Sequence, residues 1–232
     1  MYFHHSDEVW GRFPELRALV LVLRQAGNAG LNAGALDSTY AEVAALQAER
    51  AESEVPSLQV WRQTYAEMGL KPTQYRCAAE ALLRRFRKEG CLPHVLPLID
   101  ALNAESMHAA IPIAAFDCAC LRGGVVVRPA NGLEAYQAFS GEIERPAVGE
   151  IIFADEDHQA HSRRWVFRQG AQSVISPTTD TVLMVAEALH PQAWEDLQAL
   201  RDRIGIRMGE MGVAIAEEDM LSPSNRRFEF SL

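Results

Sequence analysis

Trp61-Arg62-x-x-Tyr65-x-x-x-Gly69-x-x-Pro72 opens a series of polar and glycine landmarks that continues to Gln169 inside apolar surroundings. Arg76 through Arg85 come next, then Asn103-x-x-Ser106, Pro112 to Asp117 and Arg128-x-Ala130. Gly149-Glu150-x-x-x-x-Asp155 and Trp165-x-x-Arg168-Gln169 complete it. Helices repeat their apolar positions every 3.6 residues and strands every two. Neither period generates this spacing, so packing alone is not expected to explain it.

Around that series the chain divides in texture. Leu16 to Leu23 reads as a first strand that ends at the Gly27 to Gly34 turn cluster. Asp37-Ser38-Thr39 caps a helix to about Ala51, and Pro56-Ser57 opens a second through Met68, closed by Gly69. A third runs from about Gln74 to Lys88, and a fourth from about Val95 to Ala104. Beyond Ile111 the segments become short and β-branched: Ile111 to Cys118, Gly124 to Arg128, Glu150 to Phe153, Arg164 to Phe167 and Thr181 to Ala186. A last helix spans Pro191 to about Ile204. Met211 to Ala216 reads as a strand, and Leu221 to Leu232 as a polar, loosely held tail. No repeat or linker divides the 232 residues, so a single α+β domain is expected.

Composition sets the limits. The chain is 48% hydrophobic and 23% charged, as expected of an ordinary globular protein. No apolar run approaches the roughly 20 residues that cross a bilayer, and the N-terminus lacks a secretory signal, so a cytoplasmic protein with no membrane partner is expected. Cys77, Cys91, Cys118 and Cys120 form no zinc set and are expected to be reduced and largely buried. If Cys118 and Cys120 lie on a strand, they face the same side. The net charge of −9 argues against tight, non-specific nucleic-acid binding, because phosphate neutralisation supplies most of that affinity. A local basic patch remains compatible with weak binding.

Taken in order, the landmarks resemble the B3/4 domain of the phenylalanyl-tRNA synthetase β subunit, and more closely the free-standing proteins built on it. The resemblance covers about Leu16 to Leu189 and is strongest from Trp61 to Gln169. It implies helices packed around a mixed, partly barrel-like sheet of short strands. In the synthetase this domain holds the editing site, which hydrolyses tRNA carrying the wrong amino acid. The implied partner is therefore a tRNA acceptor end or a small aminoacyl-like ligand. Aminoacylation is not expected, because the synthetase's other domains are absent from this sequence.

The resemblance also points to site residues. Arg84-Arg85 matches the family pattern, and with Arg76 would contact tRNA phosphates. As plain sequence, this arginine-rich helix equally reads as a solvated amphipathic face. Asn103 and Ser106, at the expected end of the fourth helix, would form part of the pocket wall with Pro112 to Asp117. Ala114 and Ala115 stand where related proteins tend to carry glycine, and would narrow that pocket.

Other assignments come from the residues themselves. Glu150 is the strongest candidate acid, because Gly149 beside it permits close approach. Asp117 lies in an apolar run, where burial costs several kcal/mol unless it is paired; Arg128 is the expected partner. Glu150, Asn103 and Asp117 are the candidate catalytic residues. Ser106, Arg128, Trp165, Arg168 and Gln169 would bind substrate, the Trp165 ring stacking and Arg168 and Gln169 supplying forked donors. Alternatively Trp165 is core, and Arg168 pairs with Asp155 or Glu150.

Asp155, Asp157, His158 and His161 fall between two expected strands and no third cluster completes a metal site, so no metal is expected. Ser173 to Thr181 offers no His/Asp context for a serine nucleophile. No phosphate loop or dinucleotide fingerprint is present, and no cofactor is expected. The readings left are an aminoacyl-tRNA deacylase, a non-catalytic binder of a small ligand on the same fold, or a hydrolase of an unrelated small ester.

Overall fold

The computed structural model describes all 232 residues. In chain order its elements are β1 (Tyr2–His5), α1 (Asp7–Arg12), β2 (Arg17–Arg24), α2 (Asp37–Glu49), α3 (Pro56–Glu67), α4 (Ala78–Glu89) and α5 (Pro97–Ala109). Then come β3 (Ile113–Asp117), β4 (Gly124–Pro129), β5 (Tyr136–Gln137), β6 (Ile143–Glu144), β7 (Ile151–Ala154), β8 (Ala160–Arg163) and β9 (Arg168–Gln169). β10 (Val182–Ala188), α6 (Ala193–Met211), β11 (Ala214–Leu221) and β12 (Arg227–Glu229) complete a mixed α+β fold. No helix is long and apolar enough to cross a membrane.

A four-stranded sheet, in the order β11-β2-β10-β3, is a wall between two cores. Successive strand residues face opposite sides, and the sequence uses both. Ala18, Val20 and Val22 of β2 join one core, with Leu183 and Val185 of β10 and Phe116 of β3. Leu19, Leu21 and Leu23 join the other, with Val182 and Met184, against the α6 residues Leu197, Leu200, Ile204 and Met208. A strand covered on both faces reads as a continuous apolar run, which is why Leu16 to Leu23 is conspicuous in the sequence.

The second sheet, in the order β12-β1-β4-β7-β8-β9, is six-stranded and open, and β5 pairs with β6 alone. The strands form two larger open sheets and this small pair rather than a closed barrel. Three expectations are corrected here. The C-terminal segment is not a loose tail: β12 pairs antiparallel with β1, and Phe228 and Phe230 are buried with their rings 5.5 Å apart. Arg164 to Phe167 is a tight turn between β8 and β9, not a strand. Arg164 and Trp165 adopt positive φ there (49° and 60°), held by the Trp165 N–H donating to the Ile151 carbonyl at 2.6 Å. Cys118–Cys120 is a 3₁₀ turn, so the two thiols share no strand face. Cys77 and Cys118 are buried, and burial pushes both thiols up to about 12. Cys91, by contrast, is exposed.

Two helix ends also move. α4 begins at Ala78, after an extended Cys77, and α5 continues to Ala109 before Ala110 turns left-handed at φ 52°. Asn103 and Ser106 therefore lie inside a helix rather than at its end.

Candidate functional site

β3 is the outer strand of its sheet, and its free edge borders a small pocket. Pro112 accepts from the Glu187 N–H, and Asp117 donates its N–H outward to the Ser173 carbonyl. Antiparallel pairing alternates bonded and outward residues, so Pro112, Ala114 and Phe116 bond β10 while Ile113, Ala115 and Asp117 face out. The Ala115 carbonyl accepts from Gln169 Nε2 at 2.8 Å. The Ile113 N–H and carbonyl border the pocket.

The pocket holds about 70 Å³ and is walled by Pro112, Ile113 and Ala114 on one side and Phe167, Arg168 and Gln169 on the other. Ala78, the first residue of α4, closes one end and gives its N–H to the Val166 carbonyl. Tyr136 Oη donates to the Gln169 carbonyl at 2.9 Å, which steadies that wall. The Arg168 guanidinium, 3.5 Å from Glu144, keeps donors free toward solvent. The slot is mostly apolar, with outward main-chain groups along one wall and one exposed cation, Arg168, on the other.

A model of the B3/4 domain matches residues 60–209. The chain belongs to the B3/4 domain family. Among solved structures it is similar to an N-terminal fragment of the phenylalanyl-tRNA synthetase β subunit from Pyrococcus horikoshii, at 10% identity and a TM-score of 0.40. That likeness covers 53% of this chain and 41% of the fragment. No curated protein matches the sequence.

In this B3/4 domain the expected site residues divide. Arg168 and Gln169 line the pocket together with Pro112 to Ala114. Glu150 does not line it: Arg163 clamps the carboxylate through Nε and Nη2, both at 2.8 Å. Burial alone would raise the Glu150 carboxyl, but the hydrogen bonds and charge of Arg163, with Arg164, carry it below the ordinary range. Asp117 pairs not with Arg128 but with Thr179 Oγ1 at 2.5 Å and the Ala119 N–H at 2.9 Å. Arg128 instead meets Glu134 at 2.5 Å, so neither reaches the pocket. Asn103 is half-buried on α5, and Ser106 Oγ donates to the Ile111 carbonyl at 2.6 Å. Neither lines the pocket.

Trp165 is fully buried, and its Nε1 donates to Glu187 Oε1 at 2.8 Å. Of the α4-side arginines, Arg76 bonds the Thr73 carbonyl and lies 3.4 Å from Glu80, and Arg85 pairs with Glu89 at 2.8 Å. Arg84 makes no ion pair. Arg76 and Arg85 are thus engaged locally, whereas Arg84 is not.

Much of the opening motif turns out to be packing after all. Trp61 and Tyr65 are buried, Gly69 turns at φ 76°, and Arg62 reaches Glu80 Oε1 at 2.7 Å. Glu80 is buried, which raises its carboxyl against the pull of Arg62 and Arg76.

Two buried polar groupings escape the sequence reading. His161 Nδ1 lies 2.9 Å from Ser173 Oγ and its Nε2 lies 3.2 Å from Asp155 Oδ2, so Ser173 does have a His/Asp context. All three are buried and Ser173 is fully covered, so the chain fastens the β7–β8 hairpin and offers no nucleophile. His5 Nε2 lies 2.5 Å from Glu187 Oε1, beside Trp165. His161 stands in a polar run and His5 beside His4, but no spacing in the sequence names Ser173 or Glu187 as the partner. No group of three or more His, Cys, Asp or Glu is placed to hold a metal ion.

Proposed function

We propose that this B3/4 domain takes the aminoacyl end of a charged tRNA into the β3-edge pocket and hydrolyses the ester, a trans-editing role without aminoacylation, in the cytoplasm. The observation that carries the reading is the convergence of Pro112 to Ala114 with Arg168 and Gln169 around outward main-chain groups. In this reading the Ile113 N–H donates to the oxygen that becomes an oxyanion, and the Ile113 carbonyl accepts from the α-ammonium. Arg168 faces the phosphate of the terminal nucleotide. An aminoacyl ester is labile, so positioning it beside a water and one preorganised donor supplies the catalysis.

A second reading is favoured by a specific observation: Glu150 and Asp117 are both hydrogen-bonded within the chain, and most arginines are paired. Under it the pocket binds a small aminoacyl-like ligand and turns nothing over.

The test is deacylation of a panel of correctly charged and mischarged tRNAs by wild type, Arg168→Ala and Gln169→Ala. Selective hydrolysis lost in both variants is the expected result. No hydrolysis above buffer, with retained binding of a non-hydrolysable aminoacyl-adenosine, would establish the second reading. Neither hydrolysis nor binding removes both.

A further inference from the structure

The two walls of the β3-edge pocket are bonded to each other, so its width is a property of the fold. Gln169 crosses from one wall to the other, its Nε2 donating to the Ala115 carbonyl at 2.8 Å. The Ala78 N–H ties the start of α4 to the Val166 carbonyl at 2.9 Å. Behind them the Trp165 N–H holds the Ile151 carbonyl at 2.6 Å, and β3 is paired along its length with β10. Phe167 packs edge-on against Tyr75 with ring centroids 5.2 Å apart, and the Arg164 guanidinium lies 4.5 Å over the same tyrosine. Moving either wall outward therefore breaks hydrogen bonds anchored on the main chain.

Between these walls lie about 70 Å³. A cavity of about 150 Å³ accepts benzene, so this one has room for about half the atoms of such a ring. In the reading proposed above, the α-ammonium and the ester meet the Ile113 main chain at the border, and the nucleoside stays outside. The space within then falls to the amino-acid side chain, and a phenyl ring alone exceeds it.

The lining sets a second limit. Ala78, Pro112, Ala114 and Val166 supply hydrocarbon, and no carboxylate borders the space. Its one cation, Arg168, is exposed and in that reading faces a phosphate. A charged side chain entering there gives up water without gaining a counter-charge.

We infer that the pocket selects aminoacyl esters with small, uncharged side chains, no larger than valyl, and shuts out aromatic ones. The inference rests on the reading of this pocket as the aminoacyl site and names the substrate class for it.

The test titrates the full chain with non-hydrolysable amide analogues of aminoacyl-adenosine carrying glycyl, alanyl, valyl, aspartyl and phenylalanyl groups. Affinity is expected to rise from glycyl to valyl and to fall at least about tenfold for aspartyl and phenylalanyl. Val166→Ala removes two methyl groups from one wall and is expected to improve phenylalanyl binding about tenfold relative to alanyl. A gain of that kind cannot come from misfolding, and the wild-type series stands without the variant. Phenylalanyl or aspartyl binding as tight as alanyl in wild type would overturn the size or the charge limit while leaving the pocket as the aminoacyl site. An unchanged ranking in a folded Val166→Ala would remove these walls as its cause. Failure of every analogue to bind would strike the reading of the pocket itself, and this inference with it.

Discussion

Arg163 holds Glu150 in a two-pronged ion pair, Nε to Oε1 and Nη2 to Oε2, each at 2.8 Å, with both side chains about nine-tenths buried. A buried pair broken from one side leaves an uncompensated charge, typically costing 3–5 kcal/mol. Glu150→Ala and Arg163→Ala are each expected to destabilise the fold by about 3 kcal/mol, and the double variant by clearly less than their sum. Urea unfolding of the four proteins measures this cycle. If Glu150 were instead a free general base, Glu150→Ala would lower turnover and leave the unfolding midpoint in place.

The same contacts predict an acid limb. Glu150 and Asp155 both lie below their ordinary carboxyl values of 4.5 and 3.8. In each, burial pushes the carboxyl up, but hydrogen bonds and charge from Arg163, and from His161 with the Gln159 N–H, prevail. The unfolded chain then binds these protons more readily, so stability is present above about pH 5 and falls as pH drops through both lowered values. Glu80 works in the opposite sense, because its raised carboxyl favours the folded state as it takes up a proton. Thermal unfolding between pH 6 and 3 should show Tm falling at the acid end, and a shallower fall in Glu150→Gln. An identical slope in that variant would remove Glu150 from the account.

Trp165, Glu187 and His5 form the buried link between the two sheets. Trp165→Phe keeps most of the ring packing but withdraws the N–H from a carboxylate that is 1% exposed. A loss of about 1–3 kcal/mol is expected, read by chemical denaturation, with affinity for an aminoacyl-adenosine unchanged. Lost affinity at unchanged stability would restore Trp165 to the ligand-contacting role first expected of it.

That residue also shows where sequence reading stops. Trp165-Val166-Phe167 has strand composition, but the backbone turns there because Trp165 is drawn into the core between Phe13 and Trp61, with ring centroids 5.0 Å from each. Positive φ at a non-glycine residue leaves no compositional trace. β2 and β10 were legible because both of their faces are covered, which makes their runs continuous. β1 was not, because its four residues gain meaning only from pairing with β4 and with Arg227 to Glu229 at the other end of the chain. At the pocket, both walls were legible as segments. The engagement of Glu150, Asp117 and Ser173 was not, because their partners Arg163, Thr179 and His161 are set by the fold rather than by spacing.

Ala114 and Ala115 illustrate the same limit and give the sharpest prediction about specificity. Both were expected to narrow the pocket, but adjacent strand residues face opposite ways. Ala114 lines the pocket, whereas Ala115 is buried in the helix-side core with Ile111 and Met184. Ala114→Gly is therefore expected to widen the pocket and shift binding or hydrolysis toward larger aminoacyl groups. A methyl's worth of space is worth about 1–3 kcal/mol, or roughly 10–200-fold in relative specificity. Ala115→Gly should leave that ranking alone and cost about 1 kcal/mol of stability through lost packing and added chain freedom. Competition among aminoacyl-adenosines of increasing side-chain size, run on both variants, separates the two faces of the strand. A shift with Ala115→Gly but not with Ala114→Gly would put the ligand on the other side of β3.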